Sequence, residues 1–170
     1  MTNIVVTILN EKDAESYWNL RLEALKEAPD AFLTSYDEAL QRVNPVEQVA
    51  QQLSSEESIT FGAFSEDSLV GVTTLKFTDK EKERHKAFLL AMYVTPQYQN
   101  HGIAKQLIFK AIQTARRHGE IEQIHLSVVS INPAAIHLYE SIGFKAYATE
   151  PRALKTEKGY LDECLMVLSL

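Results

Sequence analysis

The 170-residue chain reads as a mixed α/β protein, a central mixed sheet of about seven strands with helices on both faces. Three observations predict it. Short β-branched or apolar runs alternate with stretches whose apolar residues recur at helical spacing. The order is strand, helix, helix and hairpin, followed by two strand–helix units and a last hairpin. No internal repeat and no low-complexity linker interrupts it, so residues 1–170 are expected to form one domain.

Residues Asn3–Leu9 are rich in β-branched side chains and predict the first strand. Asp13 is placed to cap a helix in which Ala14, Tyr17, Trp18, Leu22 and Leu25 recur until Pro29. Ser35-x-x-Glu38 has the form of a capping box, and Asn44-Pro45-x-Glu47 repeats it with Pro at the first helical position. A broken second helix over 35–54 follows. Ile59–Ser65 and Leu69–Phe77, joined by Glu66-Asp67-Ser68, predict a hairpin. Lys86–Val94 is almost continuously apolar, as expected of a central strand buried on both faces.

Pro96 ends that strand. A helix is expected to run to His118, with Ile103, Leu107, Ile108, Ala111, Ile112 and Ala115 on one face and Gly119 as its stop. Ile124–Val129 is the next strand, and Pro133 opens a helix that ends at Gly143. A strand around Phe144–Thr149, a turn at Gly159 and a strand over Leu161–Leu168 complete the sheet.

Composition excludes several function classes. Hydrophobic residues at 45% and charged residues at 24% are the globular average and exclude wholesale disorder. A net charge of −6 argues against nucleic acid as a partner. The single cysteine, Cys164, permits no internal disulfide and no thiolate metal site. His85, His101, His118, His125 and His137 show no metal-ligand spacing, so no metal is expected. Neither a signal peptide nor an apolar run long enough to span a membrane is seen, so a cytoplasmic protein without membrane contact is expected.

The charge is unevenly spread. Residues 1–83 carry a net charge of −9 and residues 84–170 one of +3. No Asp or Glu occurs in the 36 residues between Glu83 and Glu120, which hold Arg84, Lys86, Lys105, Lys110, Arg116 and Arg117. Such a stretch suits either a solvated face or a polyanion site.

Two segments bear on that choice. Gln99-Asn100-His101-Gly102-Ile103-Ala104 lies between the apolar strand and the helix after it, where free backbone N–H groups and partial positive charge can receive phosphate oxygens. It matches neither GxGxxG nor GxxxxGK[ST]. Some thirty residues on comes Asn132-Pro133-Ala134-Ala135-Ile136-His137-Leu138-Tyr139-Glu140-Ser141-Ile142-Gly143-Phe144. Together these closely resemble the GNAT superfamily of acyl-CoA-dependent N-acetyltransferases. Gln99, Gly102 and Ala104 fit its acetyl-CoA loop; Asn132, Ala135, Leu138, Tyr139, Glu140, Gly143 and Phe144 fit its later signature. The motif-level resemblance covers residues 86–145.

The resemblance implies direct transfer of acetyl from acetyl-CoA, as co-substrate, to a primary amine on a small molecule or a protein. It implies that backbone groups near Met92 and Val94 meet the pantetheine arm, that the N–H groups of Asn100, His101, Gly102, Ile103, Ala104 and Lys105, beside Gln99, hold the pyrophosphate, and that Asn132 bonds the pantetheine. Tyr139 becomes the acid for the leaving thiolate. The carboxylate-free stretch then keeps like charge away from the phosphates.

Transfer to an amine also needs an acceptor for the ammonium proton. Many family members carry a Glu on the strand before the loop, whereas Lys86–Val94 has no carboxylate. Asp37, Glu38, His125 and a water chain remain as candidates. The family's acceptor pocket maps to Leu25–Gln41 and Tyr147–Leu161, where Phe32, Tyr36 and Glu38 are the expected substrate contacts. With Glu27, Asp30 and Asp37 nearby, a cationic acceptor is expected. The missing base leaves a rival, a catalytically silent acyl-CoA-binding or regulatory domain, and a homodimer is left open.

Overall fold

A computed structural model describes residues 3–170. Seven strands form one sheet: β1 (Ile4–Ile8), β2 (Ser58–Ser65), β3 (Ser68–Phe77), β4 (Lys86–Val94), β5 (Gln123–Val129), β6 (Lys145–Thr156) and β7 (Gly159–Ser169). Their order is β1-β2-β3-β4-β5-β7-β6, and only β4 and β5 run parallel. That pair needs a long crossover, which helix α4 (Ile103–His118) supplies. The other helices are α1 (Ala14–Glu27), α2 (Tyr36–Leu40), α3 (Pro45–Leu53) and α5 (Pro133–Ile142). The broken helix over 35–54 is α2 and α3, split at Asn44, whose φ of 49° no helix interior accommodates.

The apolar stripe of α4, Ile103, Leu107, Ile108, Ala111, Ile112 and Ala115, is buried against the sheet with residues of β2–β5 and β7. Each such Leu or Ile contributes about 1.5–3 kcal/mol by leaving water. An Asp at Leu107, 0% exposed, would break this layer first. A second cluster joins Tyr17, Trp18, Ala24 and Leu25 of α1 to Val49, Val72 and Tyr93. Gly62 serves this packing by close approach, because a Cβ there would run into Leu9 and Leu69.

Four expectations are corrected. Neither Asp13 nor Asn44 caps its helix with its side chain; the Asp13 carboxylate instead accepts the Asn10 N–H at 2.8 Å. β4 is not buried on both faces: Ala87 and Leu89 are buried, but Leu90 is 44% exposed and Phe88 and Met92 are half-buried. The cause is the short β4–β5 ladder, which pairs only Lys86–Phe88 with Gln123–His125. Beyond it the strands part, and the flank of β4 faces a cavity. β6 is also longer than the strand expected over 144–149 and reaches Thr156. A register shift between Glu150 and Leu154, with Arg152 at φ 52°, carries the strand past Pro151.

Candidate active site

The parting of β4 and β5 opens a cavity of about 670 Å³, within the size range of small-molecule sites. One wall is Leu89–Met92 of β4 and the other Ser127–Val129 of β5. A bulge sets the first wall. Ala91 has φ 54°, and neither it nor Met92 has a register partner on a neighbouring strand. Thr73 Oγ1 donates to the Leu90 carbonyl at 3.1 Å and fixes the start of the kink. An alanine in the left-handed region stores strain of about 1–2 kcal/mol, a feature that concentrates at functional sites.

The loop after β4 is tied to its end. Gln99 donates its side-chain amide to the Val94 carbonyl at 2.9 Å, and His101 Nδ1 lies 2.7 Å from the Gln99 carbonyl. Gln99 thus positions the loop, and one lone pair of Val94 is already used. Asn100 (φ 63°) and Gly102 (φ 76°) turn the chain into α4. The first bond of that helix runs from the Gln106 N–H to the Gly102 carbonyl at 3.1 Å, so the N–H groups of Ile103, Ala104 and Lys105 have no partner among the described residues. Space around Gly102 is open, with nothing within 4 Å of a Cβ built there. The Ile103 side chain is buried in the core, so only its backbone is available.

The cations of the carboxylate-free stretch do not form one patch. Lys105 stands in the first turn of α4 and Lys110 two turns on. Arg116 and Arg117 end the helix, about 20 Å away at 1.5 Å per residue, where they complement its dipole. Arg84 and Lys86 lie at the far end of β4, with Lys86 Nζ 3.5 Å from Glu83.

Helix α5 brings two further residues to the cavity. Asn132 Oδ1 accepts the Ala135 N–H at 3.1 Å as an N-cap, and its Nδ2 has no partner among the described residues. Tyr139 is 7% exposed and packs edge-to-face on Phe144 at 5.7 Å. Its hydroxyl makes no hydrogen bond among the described residues, yet no fully enclosed side-chain polar atom there lacks a partner, so it meets the cavity. Burial pushes its pKa up to about 12, which keeps it a neutral donor through the physiological range.

The acceptor side differs from expectation. Phe32 lines the cavity; Tyr36 and Glu38 do not. Tyr36 packs on the α1 cluster. Glu38 is exposed, and its carboxylate accepts the Ser35 N–H at 2.8 Å, which with the Ser35 side chain holds its pKa below the usual carboxylate range. It caps a helix. Asp37 is also outside the cavity, as are Glu27 and Asp30. His125 lies at the paired end of β5, with Nε2 3.0 Å from Gln123 Oε1, and burial, Lys86 and His85 lower its pKa.

The charged groups that do line this side are Arg21, Arg42, Glu150 and Glu163. Glu163 on β7 is half-buried and sits in register between Val129 of β5 and Glu150 of β6. Sequence reasoning missed this carboxylate pair because the two residues share a site only through strand register. A β6–β7 pairing with Gly159 at its turn was the one signal available. Among the described residues no His, Cys, Asp and Glu side chains group as metal ligands, and no helix is long and apolar enough to cross a membrane.

Comparison with known proteins bears on the parted strands and the loop beside them. The family described as acetyltransferase (GNAT) family matches residues 20–144, most of the chain, including the β4 and β5 walls of this cleft and Tyr139. The chain belongs to that family. Among curated relatives, spermidine N(1)-acetyltransferase of Thermoplasma acidophilum is 28% identical over 113 residues, 66% of each protein. The chain matches less than two thirds of that relative's length. Among solved structures, the GNAT-family acetyltransferase of Streptococcus pneumoniae is 25% identical with a TM-score of 0.88, covering 99% of this chain and 100% of that one. YncA of Salmonella typhimurium, solved with its cofactor acetyl-CoA, shares the fold at a TM-score of 0.84 and 20% identity, covering 99% of this chain and 94% of that one.

Proposed function

We propose that the protein is an N-acetyltransferase that moves an acetyl group from acetyl-CoA to the amine of a second substrate bound in the same cavity. One observation carries this reading. A single cavity joins the parted β4–β5 edge to the Tyr139 hydroxyl on one side and to a half-buried carboxylate, Glu163, on the other. Free N–H groups at the start of α4 suit the pyrophosphate of the co-substrate, and Asn132 Nδ2 with the unpaired Ala91–Met92 backbone suits its amide-bearing arm.

The chemistry follows from those groups. Glu163, directly or through water, takes the proton of the substrate ammonium. The freed nitrogen forms a bond to the thioester carbonyl carbon, the C–S bond breaks, and Tyr139 protonates the leaving sulfur. One proton of the ammonium ends on the carboxylate and passes to solvent; a second leaves the nitrogen as the amide forms and passes through water to the Tyr139 phenolate, whose own proton is now on the thiol. Glu150, opposite Glu163 in the β6–β7 register, is the neighbouring acceptor in that relay.

The rival reading, a silent acyl-CoA-binding domain, rests on the lack of a carboxylate on β4. Glu163 and Glu150 remove that objection from the other wall. The test is thiol release from acetyl-CoA over a broad amine panel, with mass spectrometry of the acetylated product. Coenzyme A binding without transfer to any amine would favour the silent domain; no binding at all would end both readings.

A further inference from the structure

The acceptor end of the cavity carries two guanidinium groups that lie over aromatic rings and have no carboxylate partner among the described residues. Arg21 of α1 is half-buried, with its guanidinium carbon 4.6 Å above the Phe32 ring. Arg42, after α2, stands 5.9 Å from the Trp18 ring. Neither side chain donates a hydrogen bond among the described residues, and the ion pair found among them, Lys86–Glu83, lies outside the cavity. Two cations on one wall also repel each other. Burial first, and Arg42 in addition, draw the Arg21 pKa below its ordinary value, while Tyr17 opposes them. A partly desolvated guanidinium has five donors to satisfy, and a carboxylate satisfies two in parallel.

Resting on the acetyltransferase reading, we propose that the acceptor is an amino-carboxylate: its carboxylate lies against Arg21 and Arg42, and its amine faces Glu163 and Tyr139. The cavity is accordingly dipolar, with cations on the α1–α2 wall and carboxylates on the β6–β7 wall. Trp18, Phe32, Val49 and Leu154 give the space between an apolar lining suited to a hydrocarbon side chain. The same wall disfavours a polyamine such as spermidine, whose several positive charges would meet unpaired arginines in a medium that screens poorly. It also disfavours a protein N-terminus, which brings no carboxylate beside its amine.

The test uses matched acceptors with acetyl-CoA: L-leucine, leucinamide and isopentylamine, L-phenylalanine and phenethylamine, L-lysine and cadaverine, and spermidine. At least one amino acid is expected to exceed its decarboxylated partner, and L-leucine its amide as well if it is a substrate, tenfold or more in kcat/KM. Arg21→Met should bring that ratio close to one through KM, Arg21→Lys should restore part of it, and the exposed Arg42→Met should lower it with the fold intact by circular dichroism. A ratio near one in the native protein, spermidine as the best acceptor, or a ratio unmoved by Arg21→Met overturns the inference and leaves acetyl transfer standing. If nothing is acetylated, calorimetry with L-leucine and L-phenylalanine on the coenzyme A complex decides. Binding lost in Arg21→Met keeps the amino-carboxylate site and overturns the transferase; no binding overturns both.

Discussion

The two ends of the cavity recognise their ligands by different means. At the β4–α4 end the backbone is prominent: three free N–H groups at a helix start, a bulge at Ala91–Met92, and Gly102 keeping side chains out of the way. At the α1–α2 and β6–β7 end the groups on offer are side chains, Arg21, Arg42, Glu150 and Glu163, drawn from four separate segments. A backbone site tolerates change in most side chains and is defeated by changes in local conformation. A side-chain site behaves the opposite way, so the same fold can keep one co-substrate while its acceptor is exchanged.

Tyr139→Phe should have the largest effect, because it removes the donor at the junction of the two ends. Turnover should fall about 10²- to 10³-fold, with affinity for coenzyme A unchanged by calorimetry. Unchanged turnover would strip Tyr139 of its role as acid. The same variant has a stability signature. With the folded pKa at about 12 and the unfolded value near 10, only the unfolded chain ionises in between, so this residue lowers stability as pH rises through that window. Phe should remove its share of the loss, measured by denaturation at pH 8 and 11.

Glu163→Gln comes next. Loss of the proton acceptor should lower kcat/KM about 10²-fold at neutral pH. Activity should recover in part as pH rises toward the pKa of the amine, where the free base no longer needs help. Tyr139→Phe should show no such recovery. Identical pH profiles for the two variants would mean that Glu163 does not handle the amine's proton. Gly102→Val sharpens the other end. A β-branched residue at φ 76° costs about 1–2 kcal/mol and puts a side chain into the mouth of the N–H cradle. Coenzyme A should bind about tenfold more weakly or worse, whereas the preference among acceptors should not move.

The same contrast explains what the sequence revealed. The loop Gln99–Ala104 and the segment Asn132–Phe144 are contiguous, each set by one turn into one helix, so their residues could be read as units. The sheet order followed from alternating strands and helices. Glu150 and Glu163 were invisible as a pair because strand register, not spacing, sets them opposite each other. Arg21 carries no motif in the sequence, and only tertiary packing shows that it stacks on Phe32 with no carboxylate partner among the described residues. β4 misled for a related reason. Its apolar run suggested burial by protein on both faces, but where the β4–β5 ladder stops the second face lines the cavity.

The smallest expected effect separates charge that is merely present from charge that acts. By composition Glu38 belongs to an acidic amine-binding surface; by geometry it completes a capping box with Ser35, whose hydroxyl accepts the Glu38 N–H at 3.1 Å. Ser35→Ala should therefore cost about 1 kcal/mol of stability, as loss of an N-cap does. Because the Glu38 pKa is lowered on folding, its contribution is present above the ordinary carboxylate range and fades as pH falls through that range. Glu38→Gln should trim stability at neutral pH by less than Ser35→Ala does and leave kcat/KM for every acceptor where it was. A selective loss with cationic acceptors would return Glu38 to the site and move the acceptor's charge preference from the arginine wall to α2. The geometry opposes that outcome, since the Glu38 carboxylate is turned back onto the Ser35 N–H and lies outside the cavity.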